Sequence, residues 1–101
     1  MQIAKVRGTV VSTIKPHSMN GVKLLFVQYV NDEGELLPQY EVVADLVGAG
    51  VNEWVLITKG SAARQEQGFE HKPLDALVVA IIDTVTVGNS RLYSKKDDFA
   101  S

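Results

Sequence analysis

The chain has 101 residues, 46% of them apolar and 22% charged, with no cysteine and a formal net charge of −2. That is the size and make-up of one ordinary folded domain. The missing cysteines exclude disulfides and thiolate metal sites and make a reducing cytoplasm the expected setting. The slight acidity offers no general attraction to nucleic acid or to anionic lipid.

Met1-Gln2-Ile3-Ala4-Lys5 lacks the charged-then-apolar pattern of a secretion signal. Residues 3–13 then alternate. Ala4, Val6 and Val10 fall on one face and Lys5, Arg7, Thr9 and Thr13 on the other, which predicts a strand with one buried and one wet side. Gly8 stands on the apolar side, where a missing side chain permits a bend or the close approach of a neighbour. Residues 15–21 read as a loop, punctuated by Pro16 and Asn20-Gly21. Residues 22–30 predict a second strand that is apolar on both sides, with Val22, Leu24 and Phe26 against Leu25, Val27 and Tyr29. Asn31-Asp32-Glu33-Gly34 is a turn, and a third strand is expected from Gln39 to Val47.

The stretch from Val47 to Arg64 joins three devices. Gly48-Ala49-Gly50 suits a tight turn with exposed backbone, because glycine tolerates positive φ. Glu53 to Lys59 is a fourth strand carrying the only tryptophan, Trp54. Gly60 ends it, and Ser61 sits where an N-cap would open a short helical turn through Arg64. Residues 65–73 are polar and broken by Gly68, hence a loop. Leu74 to Val87 reads as one long fifth strand whose apolar face Asp83 interrupts, and residues 88–101 read as a C-terminal tail. The longest apolar run, Ala76 to Ile82, is far too short to span a bilayer, so no membrane partner is expected.

Five strands with one short helical turn predict an all-β domain, a small closed OB-like barrel over residues 1–101. A sandwich would need about seven strands. Strands 2 and 5 are apolar on both sides and the chain has little left to cover their second faces. Contiguous apolar patches do not stay in water, so the cover should be another copy of the same chain.

Several chemical readings fall away. Gly48-Ala49-Gly50 lacks the third glycine of the dinucleotide fingerprint, where Glu53 stands instead. Ser61 lacks the frame of a nucleophile elbow, and His17 and His71 have no second ligand at metal spacing. No catalytic residue, cofactor site or metal site is therefore expected. Arg64 offers a planar fork that matches a carboxylate, and Glu53 and Asp83 both sit among apolar neighbours. Buried charges are generally paired, so an ion pair within or between subunits is expected, with either acid as partner. A small barrel can also bind single-stranded nucleic acid, but that reading lacks a basic cluster.

Four blocks in order carry a family likeness: Val6-Arg7-Gly8-Thr9-Val10-Val11-Ser12-Thr13; Gly48-Ala49-Gly50 with Asn52-Glu53-Trp54-Val55; Gly60-Ser61-Ala62-Ala63-Arg64; and Pro73-Leu74-Asp75-Ala76 with Ile81-Ile82-Asp83. Together they resemble the vertex proteins of bacterial microcompartment shells, the CcmL/EutN family, over about residues 2–98. The resemblance implies a cyclic homopentamer of five-stranded barrels that occupies the corners of a carboxysome shell within the cytoplasm. It implies hexameric carboxysome shell proteins as neighbours, a structural role in carbon fixation rather than turnover, and no nucleic acid. Under it, Gly48, Ala49, Gly50, Glu53, Ser61, Arg64 and Asp83 are expected at a subunit interface or at the five-fold axis.

Overall fold

The computed structural model describes residues 1–12, 21–60 and 75–95. Five strands close a barrel in the order β1-β2-β3-β5-β4: β1 Gln2–Val10, β2 Leu24–Val30, β3 Leu36–Asp45, β4 Trp54–Lys59 and β5 Ala76–Ile81. All neighbours are antiparallel except β3 and β5, which meet in parallel at Ala44↔Leu77 and Asp45↔Val78. The expected OB-like topology is therefore present. The expected helical turn at Ser61–Arg64 lies outside the described residues, as do both histidines.

Alternation decides what fills the barrel. Ala4, Val6, Leu25, Val27, Val43 and Ile57 point inward and are fully buried. The register of β1 against β2 shifts between Val6 and Gly8, so Gly8 marks a β-bulge. A Cβ there would meet nothing within 4 Å, so the glycine serves the bend and no neighbour approaches it closely.

Two expectations of the sequence are corrected. The third strand begins at Leu36, ahead of Pro38. Proline cannot donate to a ladder, but Pro38 falls between the pairs Val30↔Leu36 and Gln28↔Tyr40, where the register shifts. The Gln28 side-chain amide donates to the Leu37 carbonyl at 2.8 Å within this irregular stretch. The long fifth strand is in fact two: β5 ends at Ile81, and Thr84–Val87 forms β6. The tail then continues as β7, Ser90–Ser94, which pairs with β6 as a separate two-stranded sheet. Gly88 at φ 59° opens a two-residue loop between Val87 and Ser90, a place that requires glycine in a type II′ turn.

Candidate assembly site

The turn after β3 is built by Asp45. One carboxylate oxygen, Oδ1, accepts from the N–H groups of Val47 and Gly48, both at 3.0 Å, and Oδ2 accepts from Ala49 N–H at 2.9 Å. Lys23 Nζ stands 3.4 Å from Oδ2 and donates to the Ala49 carbonyl at 3.3 Å. The Asp45 side chain is fully buried, so these donors replace all of its water. Gly48 adopts φ 79° and Asn52 φ 74°, the left-handed backbone that lets the chain double back. Ala49 is drawn inward and joins the barrel core, while Gly48 and Gly50 stay exposed on the rim.

Glu53 closes the other side of this turn. Gly50 N–H donates to Glu53 Oε1 at 2.6 Å, and Lys95 Nζ lies 2.6 Å from Glu53 Oε2. The Lys95 contact first, and the Gly50 N–H second, hold the Glu53 carboxyl below its usual range against the opposing effect of burial. Lys95 is raised in turn, chiefly by its hydrogen bond to Glu53. A Cβ on Gly50 would come within 3.3 Å of Glu53 Oε1, so Gly50 is small for the carboxylate's sake.

Of the residues singled out in the sequence, Gly48, Ala49, Gly50 and Glu53 thus form one rim structure. Ser61 and Arg64 lie outside the described residues. Glu53 spends its two oxygens on Gly50 and Lys95. Asp83 is exposed rather than set among apolar neighbours, because the chain leaves the barrel there; its carbonyl accepts from Lys95 N–H at 2.8 Å. Sequence reasoning missed Asp45, Lys23 and Lys95. An aspartate three residues ahead of a glycine is a turn signal that could have marked Asp45. Lys95 carries no local signal, since its partner is 42 positions away.

A second polar group sits near the end of β4. Tyr29 Oη donates to Glu41 Oε1 at 2.5 Å, Lys59 Nζ lies 3.1 Å from the same oxygen, and Lys59 stands 4.6 Å over the Tyr29 ring. Burial first, and then Glu41, push the Tyr29 hydroxyl far above its usual pKa, so it serves only as a donor. Among the described residues no three His, Asp or Glu side chains converge as metal ligands would.

The outside of the barrel is sharply divided. Outward from β1 and β4 point Ile3, Trp54 and Leu56, and the β6–β7 hairpin lies over them. Tyr93 stacks on Trp54 with ring centroids 4.4 Å apart at 14°, and Val30 and Ile82 complete the cluster. Farther along β1, Arg7 and Thr9 are exposed. Outward from β2 and β3 point Phe26, Tyr40 and Val42, and these remain exposed. Phe26 and Tyr40 stack on each other at 5.3 Å and 4°.

Residues 1–83 match the family described as ethanolamine utilisation protein EutN/carboxysome. The chain belongs to this EutN/CcmL family. The carboxysome shell vertex protein CcmL of Nostoc sp. is 64% identical over 100 residues, covering 98% of this chain and 99% of the relative. The solved structure of CcmL from Gloeobacter violaceus superimposes with a TM-score of 0.91 at 62% identity, over 96% of this chain and all of that one. The pentameric microcompartment shell protein GrpN of Rhodospirillum rubrum superimposes with a TM-score of 0.80 at 44% identity, over 87% of this chain and all of that one. EutN/CcmL relatives thus share the whole barrel with this chain, and their names place them in shells.

Proposed function

We propose that five copies of this chain form a closed ring that fills the corners of a carboxysome shell within the cytoplasm. The observation that carries this reading is the likeness, along nearly the whole chain, to CcmL from Gloeobacter violaceus, at a TM-score of 0.91 and 62% identity. The pentameric state is supported by GrpN, which shares the fold and is pentameric. On this reading the protein acts by geometry. Hexameric shell proteins tile the flat facets and supply no five-fold corner, and the ring closes the body so that carbon fixation proceeds inside a sealed compartment. The chain carries out no turnover of its own.

The rim residues Gly48, Ala49, Gly50 and Glu53, together with Ser61, Arg64 and Asp83, are proposed as contacts to a neighbouring subunit or to the five-fold axis. Gly48 and Gly50 contribute exposed backbone without side chains, and Ala49 anchors the turn from inside the barrel. Native mass spectrometry of the purified protein tests the ring. A particle of about 55 kDa, five times the 11.0 kDa chain, is expected of a closed cyclic assembly. A monomer or an even-numbered oligomer at micromolar concentration overturns it. Electron microscopy of cells deleted for the gene tests the corner role: elongated or unclosed carboxysomes are expected, and normal closed polyhedra would refute it.

A further inference from the structure

The C-terminal hairpin does not fill the space it covers. A cavity of about 350 Å³ remains between it, the outward face of β1 and β4, and the start of β3. That volume lies at the lower end of the range for small-molecule sites. Its walls include Lys5 and Trp54, which oppose each other across the β1–β4 ladder, Leu36 of β3, and residues 91–94 of β7.

The way β7 borders this space is irregular. A regular strand turns alternate side chains away from any one space. Here the register shifts between Val85↔Tyr93 and Thr86↔Arg91, which leaves Leu92 with no opposed residue. Such a bulge re-aims side chains, and four successive residues, 91–94, line the cavity. Leu92 also closes the side toward the β2–β3 turn, where a Cβ on Gly34 would meet the Leu92 Cβ at 3.4 Å.

The lining combines apolar walls with two cations. Trp54, Tyr93, Leu36 and Leu92 supply the walls, Lys5 and Arg91 supply the charge, and no carboxylate residue lines the space. Lys5 is half-buried and has no ion-pair partner among the described residues. A cation partly removed from water without a counter-charge is costly. Arg91 carries five donors, enough to hold a neighbour and still bind an anion. Glu33 and Glu35 flank Gly34 in the chain, but both are exposed and neither lines the cavity. Two cations and the Ser94 hydroxyl match a group with two negative charges and three acceptor oxygens, which is a phosphate monoester. A carboxylate has one charge and two oxygens.

We infer that this cavity binds a small phosphorylated organic molecule, its phosphate held by Lys5 and Arg91 and its body against Trp54 and Leu36. Every wall belongs to a single copy, so the site does not depend on the ring.

Trp54 is the only tryptophan and lines the cavity, so its fluorescence reports occupancy. Phenyl phosphate, which joins an apolar ring to a dianion, is titrated into the purified full chain. A saturable change in Trp54 emission and a raised thermal midpoint are expected. Lys5→Gln and Arg91→Gln should each weaken binding about tenfold, the cost of one charge-assisted hydrogen bond. Arg7→Gln alters an exposed cation of the same strand outside the cavity and should bind as wild type does. Benzoate, with one charge, and phenol, with none, should bind more weakly in that order. No saturable change at millimolar phenyl phosphate overturns the inference. So does phenol binding as tightly, which would make the cavity merely apolar, or benzoate binding as tightly, which would make it a carboxylate site. If Arg7→Gln weakens binding as much as Lys5→Gln, the attraction is diffuse surface charge and the site is refuted. Should Lys5→Gln fail to fold, Arg91→Gln decides. Native mass spectrometry of the same samples tests the ring separately, and a wild type that binds without being pentameric overturns the ring alone.

Discussion

The flank of β1 and β4 and the flank of β2 and β3 both carry aromatic and branched aliphatic side chains, and these have opposite fates. Each presents at least one aromatic ring and branched aliphatics away from the barrel's interior. On the first, Trp54 is met by Tyr93 from the C-terminal hairpin and both are buried. On the second, Phe26 meets Tyr40 from the adjacent strand and both remain exposed. The first flank is completed within the chain. The second is left open by the chain's described elements. An apolar strand face in the sequence therefore states that a cover is needed but not whose it is.

The comparison can be broken most forcefully at Trp54. Trp54→Ala removes the ring on which the hairpin rests, and a buried tryptophan truncated to alanine costs about 3–5 kcal/mol. Chemical denaturation should show that loss at every protein concentration, because both partners of the stack belong to one chain. A loss that disappears on concentrating the protein would mean that the hairpin's cover comes from a neighbour.

Asp45→Asn tests the turn that closes the barrel between the two flanks. Asparagine cannot accept from three N–H groups on two oxygens, and its amide would face the Ala49 N–H. A buried donor left unmatched costs about 1–3 kcal/mol. A drop in thermal midpoint with unchanged stoichiometry is the expected outcome. Unchanged stability would show that the turn holds without its carboxylate.

Glu53→Gln sharpens the comparison at the hairpin's base, where Lys95 ties the covering element to the rim. The folded-state pKa of Glu53 is lowered, so its stabilisation is fully present above the ordinary carboxylate range. It is lost as pH falls through the lowered folded value. Lys95 is raised, so its share is present below the ordinary lysine pKa and is lost as pH rises through its folded value. Wild type should therefore melt higher than Glu53→Gln at neutral pH. The gap should close in acid. A gap that persists below the carboxylate range would assign the effect to shape rather than charge.

The smallest effect is expected on the open flank. Val42→Thr swaps a methyl for a hydroxyl at an exposed position, and within the single chain it should change stability by less than about 0.5 kcal/mol. Any larger loss should appear only on dilution, as a concentration-dependent melting temperature. Large destabilisation at high concentration would show that Val42 belongs to the chain's own core.

Much of the barrel was legible in the sequence, because strand 1 displays its burial as a period of two and turn residues bracket strands 2 and 4. The turn at Asn31–Gly34 was equally plain. Asn31 Oδ1 accepts from the N–H groups of Glu33 and Glu35, and Gly34 takes φ 80°. The hairpin was not read, although Gly88-Asn89 after the β-branched run Thr84–Val87 is a hairpin signal. The apolar run through Ile82 masked the break at Asp83. The rim was half legible: glycines announce where backbone must turn, whereas Asp45 and Lys95 act through partners that pattern cannot pair.

The sequence alone determined a cysteine-free, all-β domain built on a five-stranded barrel with two-sided apolar faces, since alternation and turn chemistry are local properties. It also determined membership of the EutN/CcmL family, since the likeness runs along nearly its whole length. Only the tertiary structure decided that Ala49 plugs the barrel, that Glu53 pairs with Lys95, and that the tail folds back over Trp54 while Phe26 and Tyr40 stay open. Each of these depends on residues far apart in the chain meeting in space. Burial is a property of that meeting, and no window of sequence contains it.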